Sequence, residues 1–278
     1  MLTQNHKTKR KTFVYSIFSI PNFPWQIIVF SDESRLCLKN DGKWVWRRQR
    51  DTVEDIYLDL EKYPLGIMIY GAIGYNYKLK LVFTTLKIDS EIYAGNILKS
   101  GMLEDLKDQE YVFMQDGAPC HTSKNIKDWL HSRCNYIQFW PPNSPDLNPI
   151  EMLWAIIKRR INDLPPELKP KNGNELKQRA QEIWDSIEMT TINNLVESFY
   201  YRLILVAAHD GESIQPYYRH EDRQIADLER KAQEFLQNRE DAFPLLQLED
   251  IISEKDINYP SPDDFLPNLE GDAPSLLT

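Results

Sequence analysis

The sequence contains no apolar run long enough to cross a bilayer. Its longest runs, Ile27–Phe30 and Leu203–Ala208, fall far short of the roughly 20 residues that a transmembrane helix needs. It also shows no cleavable signal peptide, because residues 1–11 are polar and basic and no apolar segment follows them directly. We therefore expect no membrane partner.

Cysteine is scarce as well. The chain has three, Cys37, Cys120 and Cys134, without a C-x-x-C spacing. Such an odd set favours a reducing compartment and argues against both a disulfide framework and a zinc site. The apolar share of 42% is ordinary for a globular protein, and 278 residues are enough for one large domain with appendages.

Basic residues are in deficit, with 33 Lys and Arg against 42 Asp and Glu. The resulting net charge of −9 is unusual for a protein that binds nucleic acid. From Glu221 onward there are 15 acidic and 5 basic residues, which leaves 27 acidic and 28 basic residues before it. The first 220 residues are therefore close to neutral and could carry a local basic surface for DNA phosphates.

These patterns divide the chain into three regions. Residues 1–24 contain the basic cluster Lys7–Lys11, which we interpret as a solvated arm or linker, with nuclear import or DNA contact as the alternative. Residues 25–220 form the predicted folded domain. Residues 221–278 form an acidic tail that could contain one more helix. From Phe243 its composition favours disorder, and short acidic-hydrophobic binding segments are the alternative.

Predicted strands and helices alternate through residues 25–220. The strands are Trp25–Asp32, Gly66–Ile73, Leu79–Thr85, Tyr111–Asp116 and Tyr136–Trp140, and the helices are Glu91–Leu106, Lys124–His131, Ile150–Ile161, Glu175–Ile187 and Thr191–Ala208. A hairpin is also predicted around Asn40–Gly42. This order predicts an α/β fold in which helices cover a central sheet.

Three acids stand at the ends of predicted elements. Asp32 and Asp116 end strands, and sites in open α/β sheets form beyond such ends, so both could face one crevice. Taken singly, each is better explained as a turn former or helix cap. Glu151 likewise fits a helix start after Asn148 and Pro149, where a glutamate can close a capping box.

Convergence of the three acids would create a metal site. Carboxylate oxygens suit Mg²⁺ or Mn²⁺, and three negative side chains repel one another unless a cation is present. In two-metal phosphoryl chemistry, one ion activates the attacking oxygen and the other stabilises the leaving oxygen. We therefore predict that Asp32, Asp116 and Glu151 bind two divalent ions.

The helix after Glu151 has an apolar stripe and a polar side. Helical spacing predicts the buried stripe Ile150, Leu153, Trp154, Ile157 and Ile161. Lys158 lies on the Glu151 side, where it could meet a phosphate; the alternative is a solvated lysine in the basic run 158–160. The predicted DNA contacts are Lys158, Arg159 and His121.

Three motifs resemble those of Tc1-like transposase catalytic domains in the Tc1/mariner family. They are Phe30–Ser34 followed by Asp41-Gly42 and Val45–Arg47, then Gln115–Ser123, and finally the long and specific Trp140–Glu151. The 34 residues between Asp116 and Glu151 match the spacing of the Tc1 branch. The similarity extends from about residue 2 to about residue 211.

The resemblance implies an RNase H-like fold, with a mixed central sheet flanked by helices, followed here by the acidic C-terminal extension. By position, Asp32, Asp116 and Glu151 match the family's metal-binding triad. The implied activity is metal-dependent cleavage of DNA at transposon ends and strand transfer into TA target sites, in the nucleus. His121 is interpreted as a structural or substrate-side neighbour of Asp116 and not as a ligand.

The resemblance also implies a homodimer contact. In mariner relatives, the stretch that corresponds to residues 38–62 packs against a partner subunit. Trp44 and Trp46 are therefore candidate interface residues, and local hairpin packing is the alternative for both.

Two departures from the family pattern keep other functions open. Gly117 stands where the family often has Asn. We also expect the chain to lack the family's N-terminal helix-turn-helix pair, which recognises inverted repeats. One alternative is a catalytically inactive or repurposed module that binds DNA or protein. Another is an RNase H-type nuclease, which does not account for the Trp140–Glu151 motif.

Overall fold

The structure is a computed structural model that describes residues 2–20, 23, 25–37, 66–84, 87–98, 101, 105, 110–214 and 251–253. The predictions for the hairpin, for Trp44 and Trp46, for the contact through residues 38–62 and for most of the acidic tail fall outside these residues and stay predictions.

A six-stranded sheet forms the centre of the described structure. Its strands are β1 (Ile28–Cys37), β2 (Gly66–Gly74), β3 (Tyr77–Lys78), β4 (Val82–Thr84), β5 (Val112–Met114) and β6 (Asn135–Tyr136). They lie in the order β3-β2-β1-β5-β6, and β4 pairs with β2. Because β1 runs antiparallel to β2 and parallel to β5, the sheet is mixed, as predicted.

Strand β1 is longer than the sequence predicts. It continues through Asp32 to Cys37 because it pairs with the full length of β2. On its other side, β5 ends at Met114, opposite Phe30. The prediction that a strand ends at Asp32 is therefore wrong. Asp32 lies instead where β1 loses its parallel neighbour and keeps its antiparallel one.

Helices cover both faces of the sheet. They are α1 (Gln4–Ser19), α2 (Ser90–Ile92), α3 (Lys124–His131), α4 (Ile150–Asn162), α5 (Gly173–Asp185) and α6 (Met189–Ala208), and a π-helix over Tyr93–Leu98 continues α2. Successive side chains of a strand point to opposite faces of the sheet. Phe30 and Met114 belong to the larger core with α1, α4, α5 and α6, whereas Val29 and Phe113 belong to the smaller core with α3. None of the helices in the described ranges is long and apolar enough to cross a membrane.

The basic cluster Lys7–Lys11 lies on α1, so its interpretation as a solvated arm is wrong. The side chain of Thr3 caps this helix by accepting the N–H of His6. The helix packs on α6, and Phe13 contacts the ring of Trp140 edge-on at 5.4 Å between centroids. Arg10 is completely buried. A cation tolerates such burial only when it is paired, and Arg10 is paired with Asp146.

A short segment of the acidic tail completes the larger core. Ile252 pairs in an antiparallel bridge with Ile137, which follows β6. The Gln138 N–H donates to the carbonyl of Ile251 at 2.7 Å. Ile251 and Ile252 are buried. The prediction of disorder is therefore wrong for residues 251–253, which pack on β6 of the same chain, and the alternative of a partner-binding segment stays a prediction.

Candidate active site

Asp32 lies on β1, and Asp116 lies two residues past the end of β5, the parallel neighbour of β1. In the register of β1 and β5, Phe30 faces Met114. Each aspartate follows one of these two partners by two residues. Asp32 is half-buried and Asp116 is exposed. The paired register of β1 and β5 thus ends two residues before each aspartate, and β1 continues beyond Asp32.

Glu151, in the first turn of α4, brings its carboxyl to that of Asp32. Burial raises the pKa of Asp32 well above its usual range, and the charges of Glu151 and Glu33 raise it further. Burial also raises the pKa of Glu151, against the opposing effect of Lys158. Two half-buried carboxyls at such close range resist carrying two negative charges, so the pair favours a shared proton or a bound cation.

The start of α4 is tied to β1 through Asn148. The Asn148 Oδ1 accepts the Ile150 N–H at 3.3 Å, and its amide donates to the Ser31 carbonyl at 3.1 Å. Pro149 is the N-cap of α4 and makes no side-chain cap bond, so the bond to the first helical N–H comes from Asn148 and not from a capping box with Glu151. The capping-box explanation of Glu151 is therefore not supported. The bond to Ser31 instead fixes Glu151 beside Asp32.

Trp154 holds the Asp32 carboxyl from α4. Its Nε1–H donates to Asp32 Oδ2 at 3.0 Å, and its ring stacks on that of Trp184 with 5.7 Å between centroids. Gly71, the β2 partner of Asp32, leaves the space for these rings. A Cβ at Gly71 would lie 2.8 Å from Trp154 Cη2. The predicted stripe Ile150, Leu153, Trp154, Ile157 and Ile161 is buried, as expected.

We expect Gly71→Ala to lower the free energy of unfolding by about 1–3 kcal/mol, which is typical of overpacking. The added methyl group displaces the Trp154 ring and weakens its bond to Asp32. Chemical denaturation followed by tryptophan fluorescence measures the loss in the free energy of unfolding. Gly95→Ala is the control, because a Cβ at Gly95 meets nothing within 4 Å. A Gly71 variant as stable as the wild type would contradict this account.

The Asp116 carboxyl turns toward His121. Its Oδ1 lies 2.6 Å from His121 Nδ1 and accepts the Ala118 N–H at 3.0 Å. These bonds outweigh burial and lower the pKa of Asp116. On the far side of the ring, His121 Nε2 lies 3.3 Å from Glu33 Oε1. Although burial opposes it, the two carboxylates raise the pKa of His121 to about 10.

The structure thus brings Asp32 and Glu151 together, whereas the Asp116 carboxyl is bonded to His121. In the part of the chain that the structure describes, no three His, Cys, Asp or Glu side chains are grouped closely enough to hold a metal ion. His121 is buried, with a carboxylate at each ring nitrogen, so we no longer expect it to contact DNA.

The other two predicted DNA contacts are exposed on α4. Lys158 lies on the Glu151 side and acts on its carboxyl, whereas Arg159 lies in the last turn. Lys158 and Arg35 line an open cavity of about 400 Å³ together with Asn162. Among the described residues that line this cavity there is no carboxylate. With two cations among its described lining residues, this cavity suits an anion.

The sequence pattern missed three residues around the acids. Glu33 follows Asp32 on β1, Gly71 lies opposite Asp32 on β2, and the sequence pattern identifies Trp154 only as a core residue. For Glu33 a signal did exist, since the residue after Asp32 on a strand must point to the opposite face and an acid buried there needs a partner. The position of Gly71 at the site follows only from the register between β1 and β2, which pairs it with Asp32.

Residues 27–171 match the DDE superfamily endonuclease family. This stretch contains all three acids and covers more than half of the chain, so the chain belongs to that family. The match also contains Glu33, Gly71 and His121.

Two relatives narrow the class to Tc1/mariner transposases. The chain is 31% identical to the Tc3 transposase of Caenorhabditis elegans over 223 residues, which is 77% of this chain and 64% of that protein. It is 33% identical to the Tcb2 transposase of Caenorhabditis briggsae over 181 residues, 63% of this chain and 64% of that protein. The resemblance to the Tc1/mariner family is thereby confirmed. The chain spans 64% of the length of these relatives.

Solved structures of Mos1 transposase show the same fold. Its catalytic domain with raltegravir and Mn aligns with a TM-score of 0.60 at 15% identity, over 76% of this chain and 98% of that one. A Mos1 paired-end complex with the left transposon end gives a TM-score of 0.62 at 17% identity, over 76% of this chain and 64% of that one. The prediction of an RNase H-like α/β fold is confirmed.

Proposed function

We propose that the chain is the catalytic part of a transposase that cuts DNA at transposon ends and transfers the cut strand into TA target sites. The observation that carries this proposal is the close pair of half-buried carboxyls, Asp32 and Glu151, on and against β1, whose parallel neighbour β5 ends two residues before Asp116. Membership of the DDE superfamily endonucleases supports it. Among the solved relatives are complexes of Mos1 with transposon ends.

The close carboxyls of Asp32 and Glu151 fit a divalent cation, and Asp116 would complete the set when its carboxyl, here bonded to His121, turns toward the ion. Burial raises the pKa of both carboxyls, and the charge of Glu151 raises that of Asp32 further, so a bound cation would stabilise the ionised pair. All three acids offer hard oxygen ligands, which suit Mg²⁺ or Mn²⁺. The Mos1 catalytic domain has been solved with Mn and with Mg. We therefore assign Asp32, Asp116 and Glu151 as ligands of Mg²⁺ or Mn²⁺, with two ions as the expected number.

The protein's own residues shape this site around the acids. Bound ions would activate the attacking oxygen of water or of a DNA 3′-hydroxyl and stabilise the leaving oxygen. Trp154 fixes Asp32, and the Asn148 bond to Ser31 fixes the start of α4. Lys158 lies close enough to act on Glu151 and is free of an ion pair within the described residues, which suits it to bind a DNA phosphate, with Arg159 next to it.

The remaining parts of the proposal concern partners and location. DNA is the expected partner, a homodimer contact is placed in residues 38–62, and the nucleus is the expected compartment. The helix-turn-helix modules that recognise inverted repeats belong to the whole transposase of the family. Sequence-specific binding is therefore not assigned to the residues described here.

A plasmid nicking assay tests the proposed chemistry without requiring a known recognition sequence. The chain is incubated with supercoiled plasmid in Mg²⁺, Mn²⁺, Ca²⁺ or EDTA, and open circles are counted over time. We expect nicking in Mg²⁺ or Mn²⁺ and none in EDTA, because the carboxyl pair needs a cation to take part. Nicking that persists in EDTA, or its absence with both metals at stoichiometric protein, would refute the proposal.

A further inference from the structure

Glu33 is the acid next to Asp32 on β1, and it is not one of the three proposed metal ligands. Since neighbours on a strand face opposite sides, Asp32 meets Trp154 of α4 while Glu33 points toward the smaller core. The Glu33 side chain is only 16% exposed, and its Oε1 is shielded from solvent. A carboxylate in such a place is costly unless it has a charged or hydrogen-bonding partner. Its charged partner is His121, whose Nε2 lies 3.3 Å from Oε1 in an ion-pair contact, and Oε1 accepts no hydrogen bond from the described residues.

The His121 ring is fixed from several sides. The Tyr93 ring lies against it, with 4.2 Å between centroids. The backbone of His121 is fixed too, because its carbonyl accepts from Gln115 Nε2 at 3.0 Å. Gln115 in turn accepts the Tyr93 hydroxyl at 2.7 Å. With Nε2 directed to Glu33, the ring presents Nδ1 to Asp116.

The two carboxyl oxygens of Asp116 have different surroundings. Oδ1 takes both the His121 contact and the Ala118 N–H. Within the described part of the chain, Oδ2 accepts no hydrogen bond. A carboxylate held by one oxygen in this way keeps its other oxygen for a ligand and loses little rotational freedom when the ligand binds.

We propose that Glu33 and His121 are positioning residues for the divalent metal, which act by holding Asp116 through its Oδ1. The inference rests on the proposed function, because it takes Asp116 as a metal ligand. Glu33 fixes the ring, the ring fixes Asp116, and Asp116 offers Oδ2 to the cation. Neither Glu33 nor His121 touches the metal or the DNA in this arrangement.

Two substitutions of His121 separate positioning from simple stabilisation. Asparagine places an N–H near the position of Nδ1, so His121→Asn keeps a donor for Asp116. Glutamine places its N–H near the position of Nε2, so His121→Gln faces Glu33 and loses the bond to Asp116. Both changes remove the ring, and both are expected to lower thermal stability.

The readout is Mn²⁺ binding to the full chain, measured by titration calorimetry without DNA. We expect His121→Gln to weaken Mn²⁺ binding about 10–100-fold, the usual effect of losing a residue that orients a metal ligand. His121→Asn should stay near the wild-type affinity. Equal affinities in the two variants, whether weakened or unchanged, would overturn the positioning role.

Asp32→Asn, which removes a proposed ligand directly, distinguishes failure of this inference from failure of the proposed function. If wild type and Asp32→Asn bind Mn²⁺ alike, or wild type binds none, the metal site is wrong and both proposals fall. If only Asp32→Asn loses binding while His121→Gln keeps it, the metal site stands and the positioning role falls.

Glu33→Gln provides a second route if His121→Gln does not fold. It keeps the size of the side chain and removes the charge that faces Nε2. We expect Mn²⁺ binding to weaken with cooperative unfolding retained. Unchanged binding in that variant would also overturn the inference.

Discussion

Replacing Asp32 with asparagine is expected to reduce metal-dependent nicking by at least about 1,000-fold. Metal ions contribute several kcal/mol to the stabilisation of a phosphoryl transition state, and about 4 kcal/mol corresponds to that factor. Asparagine can still accept the bond from Trp154 Nε1, so the local structure should persist. Initial rates of plasmid nicking in Mn²⁺ measure the effect.

The same substitution should make the metal-free protein more stable at neutral pH. The folded protein raises the pKa of Asp32, so the folded state holds this proton more tightly than the unfolded state does. Stability from this group is therefore lost as the pH rises from about 4 through the folded pKa. Asparagine cannot ionise and escapes that loss. Thermal unfolding in EDTA between pH 5 and pH 8 should show a gain for the variant that grows with pH.

Asp163→Asn is the matched control for both measurements. Asp163 caps the other end of α4 and is exposed, so the same change of charge occurs away from the site. We expect its nicking rate and its stability to equal those of the wild type. If the Asp32 variant nicks at the wild-type rate, the assignment of Asp32 as a metal ligand is wrong. If it is less stable than the wild type in EDTA at every pH, the ionised Asp32 carboxylate does not destabilise the metal-free fold.

Replacing Asp146 with alanine should lower the free energy of unfolding by about 3–5 kcal/mol, the usual result of breaking a buried ion pair by removing one partner. The two Asp146 oxygens accept from Arg10 Nη1 and Nη2 at 2.7 and 2.8 Å. Oδ2 also accepts the Ile214 N–H at 2.9 Å. Without Asp146, the buried guanidinium of Arg10 loses its counter-charge. Urea or thermal unfolding measures the loss.

The double substitution of Arg10→Met and Asp146→Leu tests the reason for that loss. If the cost comes from a charge left alone, the double variant should be more stable than Asp146→Ala. Arg179→Ala is the surface control, because the Arg179–Glu182 pair is exposed and should contribute nothing measurable. A double variant less stable than Asp146→Ala would show that the loss of hydrogen bonds, and not the unpaired charge of Arg10, dominates the cost.

The Arg10–Asp146 pair also connects stability to the candidate active site. Asp146 lies in the short 3-10 turn Pro145–Leu147, a few residues before Glu151. Arg10 additionally donates to the carbonyls of Gly211 and Glu212, at 2.9 Å each. Helix α1 thus joins the approach to Glu151 to the end of α6, although α1 lies outside the stretch that matches the family. We expect Asp146→Ala to reduce nicking as well.

The sequence predicts those parts of the fold that depend on local spacing. Helix α4 begins at Ile150, as predicted, because its stripe of apolar residues repeats at helical intervals and all of them are buried. The acids Asp32 and Asp116 could be identified because apolar runs precede them. These features require no knowledge of the neighbouring strands.

Features set by tertiary pairing could not be predicted in this way. The end of β1 depends on how far β2 runs beside it. The burial of Arg10 depends on Asp146, which is far away in sequence. The orientation of Asp116 depends on His121. The sequence suggests this residue as a DNA contact, whereas in the structure its ring is buried between the carboxylates of Asp116 and Glu33.

The segment Ile251–Ser253 has a practical meaning for anyone who shortens this chain. Residue 171, where the family match ends, and residue 220, where the predicted domain ends, both look like natural places to stop. Either shortened protein would uncover the backbone beyond Tyr136, where Gln138 N–H and the Tyr136 carbonyl now bond to the tail. Uncovered strand edges readily pair with other molecules and promote aggregation. A soluble version of the catalytic domain should therefore keep these three residues or replace them with another strand.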